Sequence, residues 1–248
     1  PRKMARGAIG VAIELSRSGR DLRREGGQFY HERMQFAGYS VDVVVDGAFR
    51  LDGGAMFGVV PKTLWSKLAP ADELNRIDMT LRCLVLRGHG RVVVVDTGMG
   101  DKWSDTMADR LALDRTDNLT LGLSALDLTP EDVTDCILTH LHFDHAGGAT
   151  VRAESGEIVP AFPNALYHVG RAHWHWAHAP SPKDRASFRP QDFDPIAAAD
   201  QLRLVDAGQE LLPGVEPIFT DGHTVGLMHP LVHGAGEALF YCADLIPM

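Results

Sequence analysis

Between Thr139 and Gly148 the sequence reads Thr-His-Leu-His-Phe-Asp-His-Ala-Gly-Gly, which places His140, His142, Asp144 and His145 within six residues. Three imidazoles and a carboxylate on so short a segment form a donor set for a transition metal. Neutral imidazole with carboxylate suits zinc, and Mn2+ or Fe2+ accept the same donors. A solvated, histidine-rich loop is the alternative, but it leaves such density ahead of a Gly-Gly turn without purpose. Two residues apart, His140 and His142 project the same way in extended backbone. If the chain turns after them, Asp144 and His145 face an adjoining space. One loop then serves two metal positions about 3.5–4 Å apart, the spacing used by two-metal hydrolases.

The elements around this loop read as an α/β alternation. Asp135–Leu138 is short, apolar and β-branched, as a buried strand is, so the histidines follow its carboxyl end. Open α/β sheets place their ligand sites there. Upstream, residues 39–47 read as a strand ending in a turn and 48–51 as a second strand, followed by a glycine-rich loop over 52–58. Residues 78–86 and 91–95 form a hairpin through Arg87-Gly88-His89-Gly90, and its second strand runs four valines into Asp96. Residues 119–126 have helical spacing, and Thr129-Pro130 reads as a helix start.

Residues 165–169 resume a strand, and 171–178 then carry His173 and His175. These two lie on different faces of a helix with no carboxylate interleaved, so we read the segment as a cover over the cleft, walled by Trp174 or Trp176, and not as a second metal set. The proline- and charge-rich stretch 180–199 leaves room for a substrate-shaping insertion. Strands over 202–205 and 215–219 follow, the latter delivering Asp221-Gly222-His223-Thr224, and a last strand over 238–243 ends at Asp244.

A length of 248 residues with 45% hydrophobic content suffices for one large domain. The net charge of −9 argues against nucleic acid or an anionic membrane surface as a partner. Three cysteines, Cys83, Cys136 and Cys242, without metal or redox spacing, read as free thiols in a reducing cytoplasm. Residues 1–33 hold eight Lys or Arg against four Asp or Glu, and their one apolar run is too short for an export signal or a membrane span. They are expected to form a flexible basic extension, with the domain proper over 34–248.

His140-Leu141-His142-Phe143-Asp144-His145 resembles the His-x-His-x-Asp-His signature of the metallo-β-lactamase superfamily, with Val95-Asp96-Thr97-Gly98, Gly222-His223-Thr224 and Ala243-Asp244 in matching order. The resemblance implies a four-layer αββα sandwich. It also implies a dinuclear zinc centre: His140, His142 and His223 on one ion, Asp144 and His145 on the other, and Asp244 bridging. Asp96 would fix the metal loop from behind, and Met56, Phe57 and Trp65 would rim the cleft as apolar substrate contacts, with core packing as their alternative.

Members normally carry one further histidine and closing elements after the bridging aspartate. On that pattern the domain is expected to lack its last part at the C-terminus. The implied activity is hydrolysis of an ester or lactone of a small molecule by a metal-held hydroxide with Asp144 receiving its proton, in a protein whose relatives often pair as homodimers. Pro247 stands where the lactonases of the superfamily have a tyrosine. A thioesterase of the hydroxyacylglutathione type and a non-catalytic binding protein with a degraded second metal site are the rival readings.

Overall fold

The four valines before Asp96 show how the molecule is layered, because alternate side chains of a strand point to opposite faces of its sheet. Val92 and Val94 enter one apolar cluster and Val93 and Val95 another. The neighbouring strands repeat the pattern: Cys83, Val85, Cys136 and Leu138 join the first cluster, while Leu84, Leu86 and Ile137 join the second. A sheet apolar on both faces has to be covered on both.

The structure, a computed structural model, describes residues 9–12 and 34–247. In chain order its strands and helices are β1 (Ile9–Ala12), β2 (Met34–Phe36), β3 (Tyr39–Asp52), α1 (Gly53–Phe57), α2 (Lys62–Trp65), β4 (Arg76–Gly88), β5 (Arg91–Val95), α3 (Asp105–Leu111), α4 (Leu119–Ser124), β6 (Asp135–Leu138), α5 (Phe143–Ala146), β7 (Thr150–Arg152), β8 (Ile158–Pro160), β9 (Leu166–Gly170), α6 (Arg171–His178), α7 (Asp194–Ala198), β10 (Leu202–Val205), β11 (Val215–Thr220), β12 (Leu227–His233) and β13 (Glu237–Phe240). Seven strands form one sheet in the order β10-β9-β6-β5-β4-β3-β2, and four form another in the order β1-β13-β12-β11.

Val215, Met228, Val232 and Leu239 of the second sheet pack against Leu84, Leu86, Val93, Val95 and Ile137 of the first. On the other face of the seven-stranded sheet lie Leu119 and Leu123 of α4, Ala177 of α6 and Ile196 of α7. Helix, sheet and sheet therefore stack as the expected αββα sandwich requires. The expected flexible extension falls outside the described residues except at β1, which pairs in parallel with β13.

Two local features differ from the sequence reading. The strands expected over 39–47 and 48–51 are one strand, β3, with a register shift between Val45 and Gly47. The break in the apolar pattern marks a β-bulge, which re-aims a side chain without ending the strand. Asp46 is turned inward there, 2% exposed, and accepts the backbone N–H groups of Met99 and Leu119, both at 2.9 Å. The glycine-rich loop over 52–58 is mostly helix α1, started by the Asp52 carboxylate, which accepts the Ala55 N–H at 2.8 Å.

β5, β6 and β9 are parallel neighbours, so their carboxyl ends lie side by side and the loops after them share one edge of the sheet. Opposite, at the start of β6, the buried Asp135 is paired with Arg91 at 2.7 Å and His168 at 2.8 Å. One end of the sheet is thus tied by an ion pair and a hydrogen bond, and the other is free to hold a site. Leu86 is fully buried between the two sheets. Leu86→Ala is expected to lower the unfolding free energy by about 2–5 kcal/mol, read from urea denaturation followed by circular dichroism.

Candidate metal centre

After Leu138 the chain leaves β6 through a bend at Thr139 and then His140 and His142, and His142, with extended backbone, stands at the N-cap position of the one-turn helix α5 that carries Asp144 and His145. His223 arrives in the loop between β11 and β12, and Asp244 in a short 3-10 turn, Ala243–Leu245, after β13. Two loop clusters, one from each sheet, therefore converge. The donor atoms of His140, His142 and His223 lie within 4.8 Å of one another, as do those of His140, His145 and Asp244. Asp144 stands beside the second group, its Oδ2 3.7 Å from His145 Nε2. All six residues expected as ligands are thus brought together.

The chemistry of the donor set fits a cation. The Nε2 atoms of His140 and His142 are buried without a hydrogen-bond partner, which costs about 1–3 kcal/mol for each such group. His223 Nε2 is 3.0 Å from His142 Nδ1 and 3.2 Å from Asp244 Oδ2, so lone pairs converge where a positive charge has to be shared. Burial, reinforced by His223 and His145, pushes the His142 imidazole down to about 2. Burial likewise holds His140 well below its ordinary value. Both rings are therefore neutral, the form that binds metal.

Burial alone would also depress His145, but the carboxylates of Asp244, Asp144 and Asp96 outweigh it and raise that ring well above its usual value. A proton on His145 does in this set what a cation would do. Burial would raise the Asp244 carboxyl, yet His145, His223 and His142 around it hold it down to about 2. Asp144 goes the other way: burial, only partly offset by His145 and aided by Asp244, lifts its carboxyl above the ordinary range.

Behind the donors sits Asp96, 2% exposed and in the left-handed region with φ 57°. Its Oδ1 accepts the Thr139 N–H at 2.8 Å, and its Oδ2 accepts the Thr139 hydroxyl at 2.9 Å and His145 Nδ1 at 2.8 Å. Because the Thr139 hydroxyl spends its one hydrogen on Asp96, it must accept from His140 Nδ1, 3.0 Å away. That fixes the His140 tautomer with the lone pair on Nε2, facing the other donors. His145 is fixed in the same way, its backbone oxygen also receiving the Thr97 N–H at 2.7 Å.

Gly148 allows this packing, since a Cβ there would lie 2.2 Å from the Thr97 carbonyl oxygen. Sequence reasoning missed Thr139, whose only signal was its place between a strand end and the first histidine.

The remaining expectations fall as follows. Trp65 is 3% exposed, stacked on Phe57 at 5.0 Å and packed with Ile77, so it is a core residue here, while Met56 and Phe57 are half-buried around it. Residues 171–178 are helical, and Trp174 packs edge-on against Phe193 while Trp176 donates to Asp184 at 2.9 Å. Within the stretch 180–199, Phe188 is buried with its ring centroid 4.9 Å from that of His142, so this stretch covers one side of the donor cluster. His173 is fully buried beside the loop, with both ring nitrogens bonded to backbone.

Residues 82–248 match the family model of the metallo-beta-lactamase superfamily. The chain belongs to that superfamily. Among its members, an N-acyl homoserine lactonase of Bacillus cereus is 27% identical over 172 residues, covering 65% of this chain and 60% of that protein. A second N-acyl homoserine lactonase, from a Bacillus species, is 28% identical with the same coverage. The chain therefore spans about 60% of the length of the curated relatives it matches.

A probable metal-dependent hydrolase from Staphylococcus aureus superposes with a TM-score of 0.78 at 28% identity, covering 86% of this chain and 76% of that one. AidC, a dizinc quorum-quenching lactonase solved with a product bound, shares the fold at a TM-score of 0.69 and 22% identity, covering 87% and 74%.

Asp96→Asn keeps the shape and tolerates the left-handed backbone but turns an NH2 toward donors. Affinity for a divalent metal ion is expected to fall about 10–100-fold, read by competition with a chromophoric chelator. Unchanged affinity would show that Asp96 does not orient the loop.

Proposed function

We propose that this superfamily member is a dinuclear zinc hydrolase that opens ester or lactone bonds of small acylated molecules. The observation that carries the reading is the convergence of donor atoms of His140, His142 and His223 within 4.8 Å, and of His140, His145 and Asp244 likewise, with His140 Nε2 buried and unpartnered and His142 Nδ1 3.0 Å from His223 Nε2. His140, His142 and His223 would hold one ion, Asp144 and His145 the other, and Asp244 would reach both. When bound, such a pair supplies Lewis acidity to a carbonyl oxygen and lowers the pKa of a shared water toward neutrality.

The chain's own residues supply the rest. Asp144, beside the second donor group with its Oδ2 3.7 Å from His145 Nε2, is the carboxylate placed to take a proton from the attacking water and return it to the departing alkoxide. Asp96, through Thr139 and His145, holds the donors still. The half-buried Met56 and Phe57 offer apolar surface for an acyl chain. No serine or cysteine nucleophile is required, and Cys83 and Cys136 are buried with thiols that burial raises well above their usual value.

The N-acyl homoserine lactonase relatives support a lactone as substrate, while Pro247 at the position of the lactonase tyrosine counts against it. The three free cysteines support a reducing, cytoplasmic setting. No helix among the described residues is long and apolar enough to cross a membrane.

The test is hydrolysis of a panel holding an N-acyl homoserine lactone, a simple γ-lactone, an aryl ester and a thioester. Activity on the oxygen esters is expected to vanish on chelation and return with zinc. Asp144→Asn is expected to lower kcat about 10²–10⁴-fold. Activity that survives complete metal removal would overturn the reading, and a preference for the thioester would redirect it.

A further inference from the structure

The loop that carries His140 and His142 and the loop that carries His223 come from different sheets, so something has to set the gap between them. Leu141 sits between the two histidines, in a stretch outside any helix or strand. Its N–H donates to His173 Nε2 at 2.8 Å. The other ring nitrogen, Nδ1, lies 2.7 Å from the carbonyl oxygen of Val225, two residues after His223. An amide N–H can only donate and a carbonyl oxygen can only accept, so the ring has one tautomer: lone pair on Nε2, hydrogen on Nδ1. Both nitrogens are spent, and His173 has none left for a metal.

The surroundings hold this ring in place. His173 is fully buried in α6, and its ring centroid lies 5.7 Å from that of Phe188, which also packs on His142. The Val225 side is drawn close by Gly226, in the left-handed region at φ 69°, where a Cβ would stand 2.8 Å from the His173 backbone nitrogen. A separate backbone bond, Met228 N–H to the Thr139 carbonyl at 2.9 Å, joins the same two segments. That bond keeps the segments together when the imidazole is replaced, but it cannot set the angle at which Leu141, and with it both neighbouring histidines, faces His223.

We propose that His173 is a positioning residue: a neutral imidazole strut between the backbone of the His140–His142 pair and that of the His223 loop, which fixes the spacing of the three-histidine donor set. The inference rests on the proposed metal centre. Loss of the strut leaves the Leu141 N–H buried and unpaired, so the segment twists to find a partner and carries His140 and His142 out of register with His223. A glutamine amide, with one acceptor and one donor end, can replace the ring in part; leucine cannot.

The experiment compares wild type, His173→Leu and His173→Gln, each stripped of metal and titrated with Co2+ and Zn2+ against a competing chelator, with near-UV circular dichroism as the check on folding. The leucine variant is expected to stay folded, bind about 10–100-fold more weakly and show an altered cobalt d–d spectrum. The glutamine variant is expected to recover most of the affinity and the wild-type spectrum.

A folded leucine variant with wild-type affinity and spectrum overturns the strut and leaves the metal centre standing. A wild type that takes up neither ion overturns the metal centre itself. Should the leucine variant not fold, the histidine 15N spectrum of the wild type decides. An Nδ1-protonated His173 ring that zinc loading leaves unchanged supports the strut, and an Nε2 resonance that shifts with zinc overturns it.

Discussion

The carboxylate of Asp96 is the constraint on which the site depends. It ends a strand of four valines and is almost wholly buried, a position where an unpaired charge is costly. Three donors satisfy it, two from Thr139 and one from His145. Each of those bonds fixes something the metal loop needs: the turn after β6, the tautomer of His140 through the Thr139 hydroxyl, and the tautomer of His145. The left-handed backbone at Asp96 is the local strain that lets one side chain reach all three. What the loop presents to the cleft is therefore decided on its hidden side.

The metal loop could be read from sequence because its donors are neighbours in the chain and their crowding has no packing explanation. His223 and Asp244 could be read because each ends a recognisable apolar run and falls in the order of a known family. What stayed hidden depends on partners distant in sequence. His173 looks like one histidine of several in an aromatic helix, and only the positions of Leu141 and Val225 show its use. Gly47 reads as a turn because a bulge and a turn break the apolar pattern alike; the distinction lies in the pairing with β4, which continues past it. Trp65 and Phe57, apolar residues beside glycines, read equally well as rim or core, and the geometry makes Trp65 core.

The two ends of the central sheet divide the work between stability and chemistry. At the start of β6, Asp135 is paired with the Arg91 guanidinium and hydrogen-bonded to His168, so that end is closed with its polar groups partnered. At the other end the buried imidazoles of His140 and His142 are left with unpartnered nitrogens. A protein can carry such an incomplete set only where the rest of the sheet is over-determined, and the alternation of β4, β5 and β6 into two apolar layers provides that.

Asp244 lies beyond β13, which pairs with β12 and belongs to the smaller sheet, while His140 to His145 follow a strand in the middle of the larger one. The donor set is consequently complete only after both sheets have formed and met. Closing so long a stretch of chain is an entropic cost, and the full six-residue set exists only once it has been met. A metal ion held by all six donors would be a keystone, joining an arch whose two sides come from different sheets.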